Sequence, residues 1–397
     1  MSRRGRERGD LRRRRSRRDG RANRRFARLI DGIRVDACVR CGPVRGARRV
    51  RGNPRRVRPR VPRMSVQRVE LVLLGTGTSA GVPVIGCSCE VCRSSDPRDR
   101  RTRSGALLRF TDPRGARRDV LIDCPPDHRE QSLRLGLDRC DGILFTHHHV
   151  DHTFGLDDVR RYNAIMQAPI EIYADDRTLE HLDRVYRHVF HAKENVNDSF
   201  VANLIPRRIE AGRPFELHGV RVTPLDLRHG RVPVLGFRFD DASRSARAAD
   251  PSHGVVVDDP LPIAYCTDVN SIPPATWREL RGVRTLVMDM LRYRAHPTHF
   301  TVDEAIAAAE RIGAERTYFV HMTHDIRHAD LDSKLPPGMH LGWDGLRIGA
   351  ASIADSAASI ARSPSSNSST ATLQLRAPPP STESSLPLSS PPSPWPS

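Results

Sequence analysis

His147, His149, Asp151 and His152 stand in the spacing H-x-H-x-D-H, directly after the apolar run Gly142-Ile-Leu-Phe-Thr146. Neutral imidazoles and carboxylates suit zinc, manganese or iron, and burying them without a cation or a polar partner is costly. A buried strand ending in a polar loop is a rigid platform from which side chains can converge on one point. On that platform two histidines at i and i+2 can share one cation, while Asp151 and His152, displaced around the turn, face a second. His148, between them, reads as a supporting or exposed residue.

This segment closely resembles the signature of the metallo-β-lactamase superfamily. The resemblance implies an α/β fold, the four-layer αββα sandwich, and points to the remaining ligands. His229 follows the run Val222-Thr-Pro-Leu-Asp-Leu227, Asp268 follows Ile263-Ala-Tyr-Cys-Thr267, and His321 follows Thr317-Tyr-Phe-Val320, each at the C-terminal end of an expected strand. By resemblance, His147, His149 and His229 hold one metal, Asp151, His152 and His321 a second, and Asp268 bridges them. Asp123, ending Val-Leu-Ile-Asp123, is expected to support a ligand histidine by hydrogen bonding. Two divalent cations, zinc or manganese, held about 3.5 to 4 Å apart, would bring a water near neutral pKa and clamp the oxygens of an in-line displacement.

Cys87-Ser-Cys-Glu-Val-Cys92 supplies three thiols within six residues. Three thiolates need one more ligand to close a tetrahedral zinc site, and His324, three residues after His321, is the candidate. A structural zinc is therefore expected on Cys87, Cys89, Cys92 and His324. Gly75-Thr-Gly-Thr, the C-x-C-x-x-C, the stretch to Arg103-Ser-Gly105, the histidine motif and His321-Met-Thr-His324 together resemble the phosphoribosyl 1,2-cyclic phosphate phosphodiesterase subfamily. That resemblance covers about residues 68 to 350. It implies a catalytic set of Asp151, Asp268 and His299, the last in His296-Pro-Thr-His-Phe300, where it can protonate a leaving oxygen or hold a phosphate. His296 is the weaker of the two histidines. The Gly75–Ser79 turn reads as a tight passage beneath the site rather than as a phosphate cradle.

The reading for function is hydrolysis of a small or cyclic phosphodiester by metal-activated water. Alternatives within the fold are a tRNA 3′-processing nuclease and a lactonase or thioesterase. A reading from another class is a nucleic-acid-binding protein that works through a basic arm.

The elements that must position these residues alternate short β-rich runs with helical patterns. Strands are expected at 69–74, 106–110, 120–123, 142–146, 170–174, 221–227, 234–239, 263–267, 285–290, 317–321 and 346–348. Helices are expected at 127–135, 156–166, 177–189, 274–280 and 302–312, the last capped by Thr301. The region 177–197 is a candidate lining for the substrate entrance, and 242–259 reads as a solvated hairpin loop.

Charge divides the 397 residues sharply. Residues 1–63 carry 25 Arg against 5 Asp or Glu, whereas the rest carries 40 basic against 42 acidic residues. The first segment cannot bury a core and is expected to be a disordered arm, with nucleic acid as a partner through the arm alone; alternatively the chain begins at Met64. The lone pair Cys38 and Cys41 in it reads as incidental. Residues 64–352 are expected to form the hydrolase domain, a single domain with disordered tails, and 353–397 a Ser/Pro-rich tail. No run has the length of a membrane span and no signal peptide is evident, so a soluble cytoplasmic protein with reduced cysteines is expected, with no membrane partner and a homodimer as one option.

Overall fold

The computed structural model describes residues 65–197, 199–243 and 259–349. The expected arm 1–63, the tail 353–397 and residues 244–258 of the expected loop lie outside them. In chain order the strands are β1 (Gln67–Gly75), β2 (Gly105–Thr111), β3 (Arg117–Ile122), β4 (Gly142–Leu144), β5 (Ile170–Ala174) and β6 (Leu204–Arg208), followed by β7 (Phe215–Leu217), β8 (Val220–His229), β9 (Val232–Asp241), β10 (Ile263–Cys266), β11 (Thr285–Asp289), β12 (Arg316–Val320) and β13 (Met339–Leu341). Strand β14 (Arg347–Gly349) returns to lie beside β1. The helices are α1 (His128–Leu135), α2 (Val150–Thr153), α3 (Arg160–Met166), α4 (Asp176–Val185), α5 (Arg187–Phe190), α6 (Pro274–Glu279), α7 (Val302–Ile312) and α8 (His328–Asp332).

Two sheets result, ordered β14-β1-β2-β3-β4-β5-β6 and β13-β12-β11-β10-β9-β8-β7. Each is antiparallel in one half and parallel in the other, the change falling at β3 and at β10. Side-chain alternation explains the layering. Ile263 and Tyr265 of β10, with Val287 of β11, face the first sheet and join Leu71, Leu108, Phe110 and Ile122 in an inter-sheet core. Ala264, Cys266, Leu286 and Met288 point the other way, onto Ala305, Ala308 and Ala309 of α7. Strands covered on both faces read as continuous apolar runs, and each fully buried large apolar side chain contributes ~1.5–3 kcal/mol. Helix α1 lies against β1 and α4 against β6, on the first sheet. The α/β sandwich expected from the sequence is thus present.

Local departures have local causes. The expected helix 156–166 starts as a 3-10 turn, Leu156–Val159, before α3. The expected helix 177–189 breaks at Tyr186 (φ −104°, ψ 39°) into α4 and α5, because the buried tyrosine is tied by its hydroxyl to the Thr153 carbonyl at 2.9 Å. Thr301 caps α7 in a full capping box with Glu304. The segment around the hairpin expected at 242–259 joins β9 and β10, which pair antiparallel. Among the described residues no helix is long and apolar enough to cross a membrane.

Candidate metal centre

Strands of both sheets deliver their C-terminal ends to one place. Asp123 follows β3, the 147–152 loop follows β4, His229 ends β8, Asp268 lies two residues past β10, and His321 follows β12. Asp123, Asp268 and His321 have positive φ (61°, 54° and 66°), a conformation that costs about 1–3 kcal/mol each and is kept where the surroundings over-determine it. The chain therefore turns abruptly off three strands at the point where their polar side chains are required.

The structure brings the expected residues together. Ligand atoms of His147, His149 and His229 lie within 4.8 Å of one another, and so do those of Asp151, His152, Asp268 and His321. Asp268 stands between the two groups: Oδ1 is 3.2 Å from His152 Nε2, and Oδ2 is 3.3 Å from His321 Nε2 and 3.9 Å from His147 Nε2. Thr267 holds that carboxylate through a 2.9 Å hydrogen bond to Oδ1.

Hydrogen bonds on the far side of three rings fix their tautomers. Asp123 accepts from the Thr146 amide and hydroxyl, both at 2.8 Å, and from His152 Nδ1 at 2.7 Å. With its proton committed to Asp123, the Thr146 hydroxyl can only accept from His147 Nδ1, at 3.0 Å. His229 Nδ1 donates to the Thr298 carbonyl at 2.9 Å. The Nε2 lone pairs of His147, His152 and His229 are thereby left for the centre. Nε2 of His147, His152 and His321 is buried without a hydrogen-bond partner, which is the expense a cation removes. Asp123 thus supports His152 directly and His147 through Thr146.

Charge points the same way. Burial opposes ionisation of Asp151 and Asp268, yet the facing histidines outweigh it and hold both carboxyls below the usual range. Burial likewise opposes charge on His321, but Asp268, Asp151 and Asp289 push it up to about 9. His147, whose burial dominates, is held well below the ordinary imidazole value. A pocket this rich in carboxylate calls for positive charge, and the donor set fits two divalent cations.

His299 lies inside this cluster, stacked on His321 at 4.7 Å between ring centroids and edge-on to His229 at 4.5 Å. Its Nδ1 is 3.2 Å from both oxygens of Asp289. Asp289 is a site residue that the sequence reading missed; its signal was a carboxylate ending the apolar run Leu286-Val-Met288. His296 sits at the edge, 5.2 Å from His299. His148 is half-buried, with its ring 5.4 Å from His149.

Around the second constellation, Sγ of Cys87, Cys89 and Cys92 lies 3.2, 3.5 and 3.4 Å from His324 Nδ1. Bonds of about 2.3 Å to sulfur and about 2.0 Å to nitrogen in a tetrahedral zinc site set sulfur and nitrogen about 3.5 Å apart, so the four residues fit. A backbone bond from Cys92 leads the effects that bring the Cys89 thiol down to about 7, while burial pushes Cys92 up to about 11. The Gly75 turn is a close-approach device. A β-carbon on Gly75 would lie 2.0 Å from the Arg103 carbonyl, and one on Gly77 2.7 Å from that of Arg101.

Residues 118–322 match the model of the beta-lactamase superfamily domain. The chain is similar to an octanoyltransferase of Porphyromonas gingivalis, 35% identical over 280 residues, covering 69% of this chain and 50% of that protein. It is 30% identical over 160 residues to the coenzyme PQQ synthesis protein B of Rhodopseudomonas palustris, covering 37% and 46%. The chain thus spans about half the length of these curated relatives. Among solved structures it resembles a diphosphatase from the PhnP family, with 37% identity, a TM-score of 0.60, and coverage of 71% of this chain and 97% of that one.

Proposed function

The chain belongs to the beta-lactamase superfamily, and from that premise we propose that it is a metal-dependent hydrolase acting on a small phosphodiester or a substituted diphosphate, a phosphorus centre that carries two substituted oxygens. The observation that carries this reading is the Asp268 carboxylate, set between two groups of buried imidazoles whose unpartnered Nε2 atoms face it. The likeness to the PhnP-family diphosphatase supports phosphorus as the reacting atom.

His147, His149 and His229 would hold one cation, Asp151, His152 and His321 the other, with Asp268 shared. When bound, such a pair supplies a water of near-neutral pKa and a clamp for the displaced oxygen. The remaining work falls to the chain. Asp123 keeps His152 and, through Thr146, His147 in the tautomers that ligation requires. Burial of this row excludes bulk water and strengthens every charge interaction within it. His299, with Nδ1 held by Asp289, would give a proton from Nε2 to the leaving oxygen. Cys87, Cys89, Cys92 and His324 would hold a structural zinc. The octanoyl transfer named for the Porphyromonas protein is not carried over, since this chain spans only half of it.

Turnover of bis-p-nitrophenyl phosphate with manganese or zinc tests the proposal. Asp268→Ala is expected to lower kcat/KM by roughly a thousandfold or more. Metal-loaded protein that hydrolyses lactones or thioesters and no phosphorus ester would overturn it, and specific cleavage of precursor tRNA would move the assignment to a nuclease.

A further inference from the structure

Three loops, each carrying a different site residue, meet at the side chain of Asn270. The β8–β9 turn begins at His229, the loop after β10 holds Asp268, and the loop before α7 holds His299. Asn270 belongs to the second of these. Its amide donates to the Arg228 carbonyl at 2.9 Å and the Arg228 amide donates to the Ser271 carbonyl at 3.1 Å, so its backbone is fastened to the end of β8. Its side chain then spans the other two loops. Oδ1 accepts from the Gly230 amide at 2.8 Å, and Nδ2 donates to the Pro297 carbonyl at 3.0 Å. A backbone amide only donates and a carbonyl only accepts, so the two partners dictate which end of the asparagine faces which loop.

The loop before α7 depends on this contact. Among the described residues, hydrogen bonds join its tip, residues 296–298, to the rest of the chain at two points: His229 Nδ1 to the Thr298 carbonyl and Asn270 Nδ2 to the Pro297 carbonyl. Its other bonds stay local. The Arg292 guanidinium donates to the Arg294 and Ala295 carbonyls, each at 3.2 Å, and the Thr298 amide donates to His296 Nδ1 at 3.4 Å. On the far side of His299, the Phe300 amide donates to the Val269 carbonyl at 3.0 Å. Residues 269 and 270 therefore grip the chain both before and after His299. The β8–β9 turn is nested against the same tip: Gly230 is left-handed (φ 64°), and a β-carbon on it would fall 2.8 Å from Thr298 Cγ2.

We infer that Asn270 is a positioning residue for departure of the leaving group: by tying Pro297 to Gly230 it holds His299 in register with His229 and Asp268. This rests on the proposed phosphorus chemistry, in which His299 protonates the leaving oxygen. Water adds to phosphorus, the ester P–O bond breaks, and the oxygen departs as an alcohol or phenol with that proton. Dependence on His299, and through it on Asn270, is greatest for oxygens that leave poorly as anions. A displacement of about 1 Å costs on the order of a hundredfold in rate where reacting groups must align. Asparagine is the residue the position requires, because aspartate has no donor for Pro297 and alanine has neither group.

Methyl 4-nitrophenyl phosphate and methyl phenyl phosphate test this with the metal-loaded full chain, since nitrophenolate departs readily as an anion and phenolate does not. The quantity read is kcat on the phenyl ester divided by kcat on the nitrophenyl ester. His299→Ala is expected to lower that ratio by about tenfold or more. Asn270→Ala and Asn270→Asp are each expected to lower it by about fivefold or more. Added to His299→Ala, Asn270→Ala should lower it no further, as for two residues acting through one group. If His299→Ala leaves the ratio intact, the acid role assigned under the proposed function has failed. If His299→Ala lowers it while Asn270→Ala slows both esters equally, the inference is overturned. A second readout needs no turnover: labelling of His299 by diethyl pyrocarbonate, followed by peptide mass spectrometry. Asn270→Ala should speed it by about threefold or more through local loosening, with labelling of the buried His128 unchanged. Equal labelling of His299 in the two proteins overturns its placement by Asn270, whether or not either ester is hydrolysed.

Discussion

The histidine–carboxylate centre and the thiolate cluster each bring metal-ligand side chains within reach of one another, by opposite means. The first draws its ligands from four separated segments, 147–152, 229, 268 and 321, and buries His147, His152, Asp268 and His321 almost completely. His147, His152 and Asp268 are held from behind by hydrogen bonds to Thr146, Asp123 and Thr267, and His321 Nδ1 faces Asp289 at 3.5 Å. The second uses one six-residue loop and His324, all half-buried, with few polar groups behind the sulfurs. A buried centre must be preorganised by protein, because misaligned polar groups are expensive there. A half-buried loop can leave much of its order to the ion it binds.

That contrast is sharpened most by removing one thiol. Cys89→Ser is expected to lose one of about three ions per chain, and several kcal/mol of stability, while two ions remain at the histidine centre. Metal analysis with chemical denaturation reads both quantities. A Cys89→Ser protein that retains all its ions would remove the zinc assignment.

The next variant asks whether the two centres are independent at all. Arg101 is fully buried; its guanidinium is 3.1 Å from Asp99 and donates to the Thr323 and Ile326 carbonyls at 2.8 Å. Those carbonyls flank His324 and follow His321 by two and five residues. The Arg101 backbone is meanwhile bonded both ways to Val82, just before the cysteine loop. Arg101→Met strips a buried carboxylate of its partner, which costs about 3–5 kcal/mol. Adding Asp99→Asn should return part of that. In cobalt-substituted protein, Arg101→Met should weaken the thiolate-to-cobalt band first. Equal loss at the histidine centre would mean that the 321–326 loop serves the two as one unit, and the comparison would break.

Legibility in the sequence followed locality. H-x-H-x-D-H and C-x-C-x-x-C were readable because neighbouring residues share one loop, and Thr301 because capping is a local interaction. His229, Asp268 and His321 came only through family resemblance, since nothing in spacing joins residues 77 to 169 positions beyond the motif's last histidine, His152. Asp289 and Arg101 escaped because their partners, His299 and His321 for the one and the Thr323 and Ile326 carbonyls for the other, meet them only in the folded chain. The strands β6, β7 and β13 were missed for another reason. They are short edge or near-edge strands; β6 contains Pro206, which an edge tolerates, and none has a sustained alternating pattern.

The smallest effect concerns the scaffold beneath the histidine centre rather than its ligands. His128 on α1 is 1% exposed, and a β-carbon on Gly155, just past α2, would fall 2.7 Å from its own. It packs edge-on to Tyr162, whose hydroxyl donates to Ser132 at 2.7 Å. Burial brings its pKa down to about 4 from 6.5. The folded state therefore refuses a proton that the unfolded chain accepts below pH 6.5, so this contribution to stability is present above that pH. It declines as pH falls from 6.5 towards 4, by on the order of 3 kcal/mol in total. His328, fully buried under the thiolate side with its amide bonded to Asp99, is likewise brought down to about 4, so both scaffolds should weaken over the same range. Urea denaturation of wild type and His128→Gln between pH 7.5 and 4 measures the part owed to His128, because metal release affects both proteins alike. The wild-type advantage should shrink across that window, and curves that stay parallel would show that His128 accepts its proton while folded.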